Sequence, residues 1–167
     1  MIIPGVAING SEINESTKSG HVTYEVWTYQ WVRDTCTSRD EDGYCTNWEP
    51  VYEWVHTSNG STGAKITGSV SVSSSKMKLT GTNVATVGDK TSETWAASPP
   101  VPSGGGNTQI RNVSPGHSGS GQGTISSGST KGKLQGKAIA LIGSQVTTCL
   151  GTTTTIKTGN EKMKFSS

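Results

Sequence analysis

Two segments of the chain alternate strictly between hydrophobic and polar residues, which is the pattern of a half-buried β-strand. The first covers residues 23–34 (TYEVWTYQWVRD) and the second covers residues 47–56 (NWEPVYEWVH). Because successive side chains of a strand point to opposite faces, the aromatic residues of each segment share one face. They are Trp27, Tyr29 and Trp31 in the first segment, and Trp48, Tyr52 and Trp54 in the second. The two segments therefore predict a long β-ribbon with one aromatic side.

The aromatic side of this ribbon needs a partner, since a lone two-stranded ribbon is only marginally stable in water. Two interpretations are open: the side packs on the body of the protein as an internal core, or it docks on another molecule. Pro50 removes one hydrogen-bond donor from its strand, which predicts a bulge or an edge position there.

The pattern changes after Gly60, where Gly, Ser, Thr and Asn separate short β-forming segments of about three to five residues. Strong helix formers do not recur with a helical period anywhere, so the chain is predicted to be all-β. Residues 98–109 (SPPVPSGGGNTQ) predict either a flexible loop or an extended proline-rich connection on the surface. We expect one domain over residues 1–167, with the β-ribbon inserted at residues 22–57 and a loop insertion at residues 96–124.

One sixteen-residue pattern occurs twice in the second half of the chain. Residues 76–91 (KMKLTGTNVATVGDKT) and 131–146 (KGKLQGKAIALIGSQV) align without a gap at an offset of 55 residues. The shared pattern begins with Lys-x-Lys-Leu-x-Gly. After two variable positions it continues with a hydrophobic residue, Ala, a variable position, a second hydrophobic residue and Gly. The segment KMKF at residues 162–165 begins a third, partial copy. A short phrase precedes each copy, starting at Ile66 (ITGS), Ile125 (ISSGS) and Ile156 (IKTGN).

Such repetition predicts hairpin units that bury their faces against one another around a common axis. The small residues Ala85 and Ala140 are expected where backbones approach closely. Two and a half to three such units predict a small conical body with pseudo-threefold repeats.

Composition and charge limit the classes of protein that fit. Hydrophobic residues make up 30% of the chain, while Gly numbers 22 and Ser plus Thr 47, so the core must be thin. Five Trp, four Tyr and a net charge of only +2 argue against disorder. The weak net charge carries no signature of binding to nucleic acid or to a membrane surface. No secretory signal and no membrane-spanning stretch are recognisable, so synthesis in the cytoplasm without a signal peptide is expected.

The three cysteines are too few for a disulfide framework. Cys36 and Cys45 bracket a polar loop with an Asp-Gly turn, and they either form a disulfide or remain two reduced thiols. Cys149 stands apart. The acidic residues Asp34, Asp40, Glu41 and Asp42 cluster on the ribbon tip. Such a cluster is compatible with acid–base chemistry or Ca²⁺ binding, but the spacing fits no EF-hand loop, and a charged hairpin tip is the expected interpretation. No catalytic constellation is specified by the chain, and we expect a protein that is not an enzyme.

The segments GTNVATVGDKT and GKAIALIGSQVTTCLGTTTTIKTGN resemble degenerate copies of the PAAR repeat, whose consensus runs Asn-Gly-Lys-Pro-Ala-Ala-Arg-x-Gly-Asp. The resemblance covers residues 65 to 167 and extends to STKSGH at residues 16–21, in the place of the family's first His phrase. Ala85 and Ala140 keep one alanine of the motif. Thr86 and Leu141 replace its Arg, and Ser144 replaces the Asp of the second copy.

The resemblance implies a function. PAAR proteins are small β cones that sit as monomers on the blunt end of a homotrimeric β-helical spike in phage tails, type VI secretion and related contractile machines. The chain would cap and sharpen that spike and help to pierce a cell envelope, crossing the membrane only transiently and binding no nucleic acid. It would be part of a virion, in the tail baseplate, or of an extracellular contractile particle.

The resemblance also implies one metal ion, zinc or iron, near the point of the cone. The candidate ligands are His21 at the first His phrase, His117 before the final unit, and Cys149 after it. His56 has no counterpart in the family, but it is the remaining candidate for a fourth ligand, a place that water can also take. Three His and one thiolate suit tetrahedral Zn²⁺, and one ion that joins distant loops substitutes for a core at a pointed tip.

An alternative function belongs to a different class. The chain is then a β-rich receptor- or glycan-binding module of a tail fibre, with Trp27, Trp31, Trp48 and Trp54 as stacking platforms. A fibre module is expected to be a trimer by itself, whereas a spike tip is a monomer.

Overall fold

The computed structural model describes residues 2–167, which contain no helix and are 63% strand, so the predicted all-β class is confirmed. No helix in this range is therefore able to cross a bilayer. Thirteen strands follow one another: β1 Gly5–Val6, β2 Ser16–Arg39, β3 Cys45–Ser71, β4 Lys78–Leu79, β5 Thr82–Asn83, β6 Lys90–Ser98, β7 Thr108–Ser114, β8 Ser118–Ile125, β9 Lys133–Leu134, β10 Lys137–Ala138, β11 Gln145–Thr147, β12 Thr153–Thr155 and β13 Asn160–Lys164.

The long strands form one antiparallel sheet in the order β12-β11-β8-β6-β3-β2-β7. Strands β2 and β3 make the predicted ribbon, but it is longer than residues 22–57. With 24 residues, β2 extends over roughly 80 Å. Pro50 lies opposite Asp34 beyond an irregularity at residues 31–33, close to the bulge that its missing donor predicts. β7 pairs with β2 only along residues 23–28, so the distal ribbon has two strands.

Three small hairpins surround a common axis, as the repeats predict. β4 pairs with β5, β9 with β10, and β13 with β1, in one shared register: Lys78 faces Asn83, Lys133 faces Ala138, and Lys164 faces Gly5. The third copy is therefore not truncated. Its first strand comes from the C-terminal end of the chain and its second from the segment GVAINGS at residues 5–11, which supplies the Ala-containing half.

Backbone hydrogen bonds close a triangle on this axis. The amide of Ala7 donates to the carbonyl of Ala140 at 2.9 Å, the amide of Ala140 donates to the carbonyl of Ala85 at 2.9 Å, and the amide of Ala85 donates to the carbonyl of Ala7 at 3.0 Å. All three alanines are completely buried. A larger side chain would crowd the axis, which is the physical reason for alanine at this position of every copy.

Each copy then turns in the same way. A glycine with positive φ is followed by a residue whose side-chain oxygen accepts a hydrogen bond from the backbone amide three positions earlier, so the Gly-Ser and Gly-Asp pairs of the sequence are turn formers. The glycines are Gly10, Gly88 and Gly143, and the acceptors are Ser11, Asp89 and Ser144.

The buried residues next to the axis show that one residue was assigned wrongly among those that precede the three copies. Val70, Ile125 and Ile156 occupy the same position in the three copies, because each exchanges backbone hydrogen bonds with the turn of one copy. All three are at most 1% exposed. Ile66 was expected in this role, but it lies four residues earlier on β3, in a second core cluster with Trp95 and Val22.

Side-chain size on β6 is matched by glycine on β8. Thr91, Glu93 and Trp95 face Gly123, Gly121 and Gly119, respectively. A Cβ on Gly119 would lie 2.7 Å from the Trp95 ring, so these glycines provide the room that the large neighbours need.

The segment at residues 96–124 is not wholly a loop, because it contains β7 and most of β8. Its proline-rich part is not a free surface loop either. Val101 is only 9% exposed and belongs to the second cluster. The hydroxyl of Thr62 donates to the carbonyl of Pro99 at 2.6 Å. This connection is therefore anchored to the body.

Candidate functional site

The three hairpins present a pseudo-threefold end face. The turns of two of them carry positive φ at both central residues, with 49° and 79° at Thr80 and Gly81 and 52° and 79° at Gln135 and Gly136. These values are those of a type I′ turn, whose twist matches that of a two-stranded hairpin. At the third position the two ends of the chain replace the turn.

The inner side of the end face is apolar. Leu79, Leu134 and Phe165 hold equivalent positions, are half-buried, and pack on the cluster of Val6, Val84, Ile139 and Leu141. The second copy has Gly132 where the other copies have methionine. A Cβ on Gly132 would lie 2.8 Å from the ring of Phe165, so this ring fills the space. The face is thus closed around an apolar centre.

The outer side of the same hairpins is basic. Each copy carries the Lys-x-Lys pair of the repeat, and the six side chains are exposed: Lys76, Lys78, Lys131, Lys133, Lys162 and Lys164. Alternation along each strand separates them from the apolar residues, which point inward. Of these six lysines, only Lys164 forms an ion pair among residues 2–167, with Glu161 at 3.1 Å.

The aromatic side of the ribbon divides into two parts. Near the body it is covered: the Arg111 guanidinium on β7 lies 4.4 Å from the ring centre of Trp27 and 5.7 Å from that of Trp54. Towards the tip it is open, with Trp31 52%, Trp48 61% and Tyr52 50% exposed. The internal-core interpretation is therefore wrong for the distal ribbon, whose aromatic side has no partner among residues 2–167.

Glu25 ties the covered part of the ribbon to β7. Its carboxylate accepts hydrogen bonds from the indole of Trp27 and the amide of Asn112, both at 2.8 Å. These bonds, with the nearby charges of His56 and Arg111 in the same direction, lower the pKa of Glu25. The contact is exposed, so it orients the strands more than it stabilises them.

The ribbon tip is braced locally. Cys36 and Cys45 are joined as a disulfide across it, which decides between the two alternatives. The carboxylate of Asp40 accepts from the backbone amides of Asp42 and Tyr44 at 3.0 and 2.8 Å. The indole of Trp31 donates to Asp34 at 3.0 Å. Asp40 therefore acts in the turn, and Asp34 holds the indole of Trp31 on β2.

The four predicted metal ligands do not come together. His56 stacks on Trp27 on the ribbon, and its Nε2 lies 2.8 Å from Asn59. The rings of His21 and Trp95 are nearly perpendicular, with 4.8 Å between their centres, and the His21 Nε2 is buried without a hydrogen-bond partner among residues 2–167. His117 is exposed at the turn before β8, and Cys149 packs at the second cluster.

Three of these residues, His21, His117 and Cys149, thus lie around the second cluster, and His56 lies away on the ribbon. Within residues 2–167, no three His, Cys, Asp or Glu side chains form a group able to hold a metal ion. As arranged, the set does not fit tetrahedral zinc, and the ion stays a prediction.

A buried carboxyl beside Cys149 is the polar feature that the sequence did not indicate. Glu93 is 1% exposed and has no cationic partner among residues 2–167. It accepts hydrogen bonds from the Thr91 hydroxyl and, at 2.8 Å, from the Cys149 amide. Burial, followed by the hydrogen bond and charge of Glu93, raises the pKa of Cys149 to about 11. The thiol is therefore protonated and unreactive near neutral pH. The row of alternate glycines on β8 was the one signal for these large neighbours.

Comparison with known proteins adds no relative: no family model matches the chain, and neither a curated protein nor a solved structure is significantly similar to it.

Proposed function

We propose that the chain is the structural tip of a contractile injection machine, a phage tail baseplate or a related particle, and that it caps a homotrimeric spike. The observation that carries this proposal is the closed hydrogen-bond triangle of Ala7, Ala85 and Ala140. It gives one chain a pseudo-threefold end, which is the geometry that a single copy needs to meet three identical subunits at once.

The rest of the structure is consistent with a mechanical role. The end face has an apolar centre, whereas the distal part of the ribbon extends beyond β7 as two strands and is braced at its tip by the Cys36–Cys45 disulfide.

Stoichiometry tests the proposal. Light scattering of the purified chain is expected to give a monomer, and a mixture with the trimeric spike protein encoded in the same genome should give one chain per trimer. Leu134→Asp, at the apolar centre of the end face, should weaken the complex by about tenfold or more. Tyr44→Asp, at the ribbon tip, is the matched control and should bind normally. A chain that trimerises alone, or binds the spike at three per trimer, contradicts the proposal.

The open part of the ribbon favours a second candidate function, binding of a receptor or glycan. Trp31, Trp48 and Tyr52 offer flat apolar faces with polar edges at about half exposure. A glycan array probed with the whole chain tests this function. Binding that is lost in Trp31→Ala and Trp48→Ala, and kept in Leu134→Asp, would assign the activity to the ribbon; no binding to any glycan would remove this candidate.

A further inference from the structure

We propose that the end face recognises carboxylates, and that the trimer it caps presents Asp or Glu side chains in three equivalent copies around an apolar centre. This inference rests on the proposed function and names the chemistry of its partner. We call the six lysines that surround the end face the basic collar: Lys76, Lys78, Lys131, Lys133, Lys162 and Lys164.

The collar follows the symmetry of the backbone. Three of the lysines occupy the same register position in the three hairpins. Lys78 faces Asn83, Lys133 faces Ala138, and Lys164 faces Gly5. The other three lysines each lie two positions earlier in the chain and are exposed as well. Two lysines per copy, repeated three times, form a pattern that three identical subunits can match residue by residue.

The charge of the collar is concentrated and largely unpaired. The hairpin segments at residues 76–83, 131–138 and 160–165 hold seven lysines and one carboxylate, whereas the whole chain has a net charge of only +2. Five of the six collar lysines have no carboxylate within ion-pair distance among residues 2–167. The opposite bias occurs at the distal ribbon, where residues 33–53 hold six carboxylates and two arginines.

The arrangement of apolar and charged groups selects a protein partner over a polyanion. Half-buried Leu79, Leu134 and Phe165 lie inside the collar, so the face has an apolar centre and a charged rim, as specific protein interfaces have. A nucleic acid or an anionic lipid surface has no threefold repeat and would leave this apolar centre without a partner. Charges at a rim mainly set the association rate and exclude wrong partners.

Charge reversal within the collar tests the inference. Lys78→Glu, Lys133→Glu and Lys164→Glu are combined, and the affinity for the trimeric spike encoded in the same genome is measured at about 50 mM and about 500 mM salt. The matched control reverses three exposed lysines away from the collar, Lys18, Lys90 and Lys157, and so makes the same change in net charge. Equal melting temperatures of both variants exclude misfolding as the cause.

The collar variant should bind at least tenfold more weakly than the control at low salt, chiefly through a slower association rate, and the difference should shrink at high salt. Reversal of the facing carboxylates of the spike to lysine should then restore binding of the collar variant.

Equal binding of the collar variant and the control overturns this inference but leaves the proposed function standing. Failure of the wild-type chain to bind the spike overturns both. Binding of duplex DNA or of vesicles with phosphatidylglycerol as tightly as the spike, lost in the collar variant, overturns the carboxylate partner in favour of a polyanion.

Discussion

Replacement of Ile156 by alanine tests whether the C-terminal end of the chain completes the axis. Ile156 is 1% exposed, and its equivalent Ile125 is 0% exposed, yet the two residues belong to different parts of the secondary structure. Ile156 follows the edge strand β12, whereas Ile125 ends β8 inside the seven-stranded sheet. If the pseudo-threefold arrangement is right, the two substitutions remove the same contacts.

The magnitude follows from the carbon atoms removed. Truncation of isoleucine to alanine removes three, at about 0.8 kcal/mol for each buried CH₂, or about 2.4 kcal/mol. The cavity left behind raises the loss to about 3–4 kcal/mol, because a closed axis has little freedom to collapse. For a domain of this length, this corresponds to a melting temperature lower by roughly 6–15 °C.

Urea unfolding followed by tryptophan fluorescence measures the effect. Ile156→Ala and Ile125→Ala should agree within about 0.5 kcal/mol, and Ile2→Ala, at a residue that is 92% exposed, should change stability by less than about 0.5 kcal/mol. The dependence of the unfolding free energy on urea should stay unchanged, so that the midpoints compare directly. A loss below about 1 kcal/mol for Ile156→Ala, beside a full loss for Ile125→Ala, would refute the equivalence of the two positions on the axis.

Four further outcomes are expected. Gln135→Asn should stabilise the protein by about 0.5 kcal/mol in urea, because asparagine tolerates the positive φ of this turn better; a loss of stability would contradict the turn assignment. Because the pKa of Cys149 is raised to about 11 in the folded chain, its contribution is complete below the unfolded value and is lost as pH rises from about 9 to about 11. The unfolding free energy of Cys149→Ala should not show this decrease between about pH 9 and about pH 11. If the variant and the wild-type protein have the same dependence of stability on pH, the contribution of Cys149 is refuted. Replacement of Cys36 and Cys45 by serine should speed amide exchange at residues 37–44, by about 2–3 kcal/mol in local opening free energy, while the body melts as before; unchanged exchange would show that the disulfide does not brace the tip. Metal analysis tests the predicted zinc or iron ion. One ion per chain and a lower melting temperature after chelation would support the ion, whereas a metal-free protein whose melting temperature is unchanged by a chelator would contradict it.

The local elements of this fold could be predicted because each depends on residues close in sequence. Strict alternation at residues 23–34 and 47–56 indicated the ribbon, since side-chain burial on a strand has a period of two. The Lys-x-Lys-Leu-x-Gly pattern indicated hairpins, and the Gly-Asp pair at Gly88 and Asp89 indicated a turn. The position of Ala85 predicted close approach of backbones, and the hydrogen-bond triangle is that approach.

The assignment of equivalent residues could not be made from the short phrases before each copy. Ile66 and Val70 both lie on β3, both are buried, and each is followed by a small polar residue. Only the hydrogen bonds between Val70 and the N-terminal turn at Gly10 and Ser11 distinguish them. Those partners are sixty residues away along the chain, so a local phrase carries no record of them.

The metal-ligand prediction had a similar weakness. It relied on the order of His21, His117 and Cys149 along the chain, but the direction of each side chain depends on the sheet. The structure turns His21 towards Trp95 and Cys149 towards Glu93. The buried carboxyl of Glu93 left only an indirect trace, in the glycines of β8 that make space for it and its neighbours.

The sequence by itself determined the all-β class, the long aromatic ribbon and the repeated hairpin, because period-two burial and tight-turn chemistry are local properties. Tertiary structure alone decided that the N-terminal and C-terminal segments build the third hairpin together, that the distal aromatic residues stay exposed, and that six lysines surround one end. These features depend on which distant segments share backbone hydrogen bonds, and that choice is made by burial of the whole axis rather than by any segment of it.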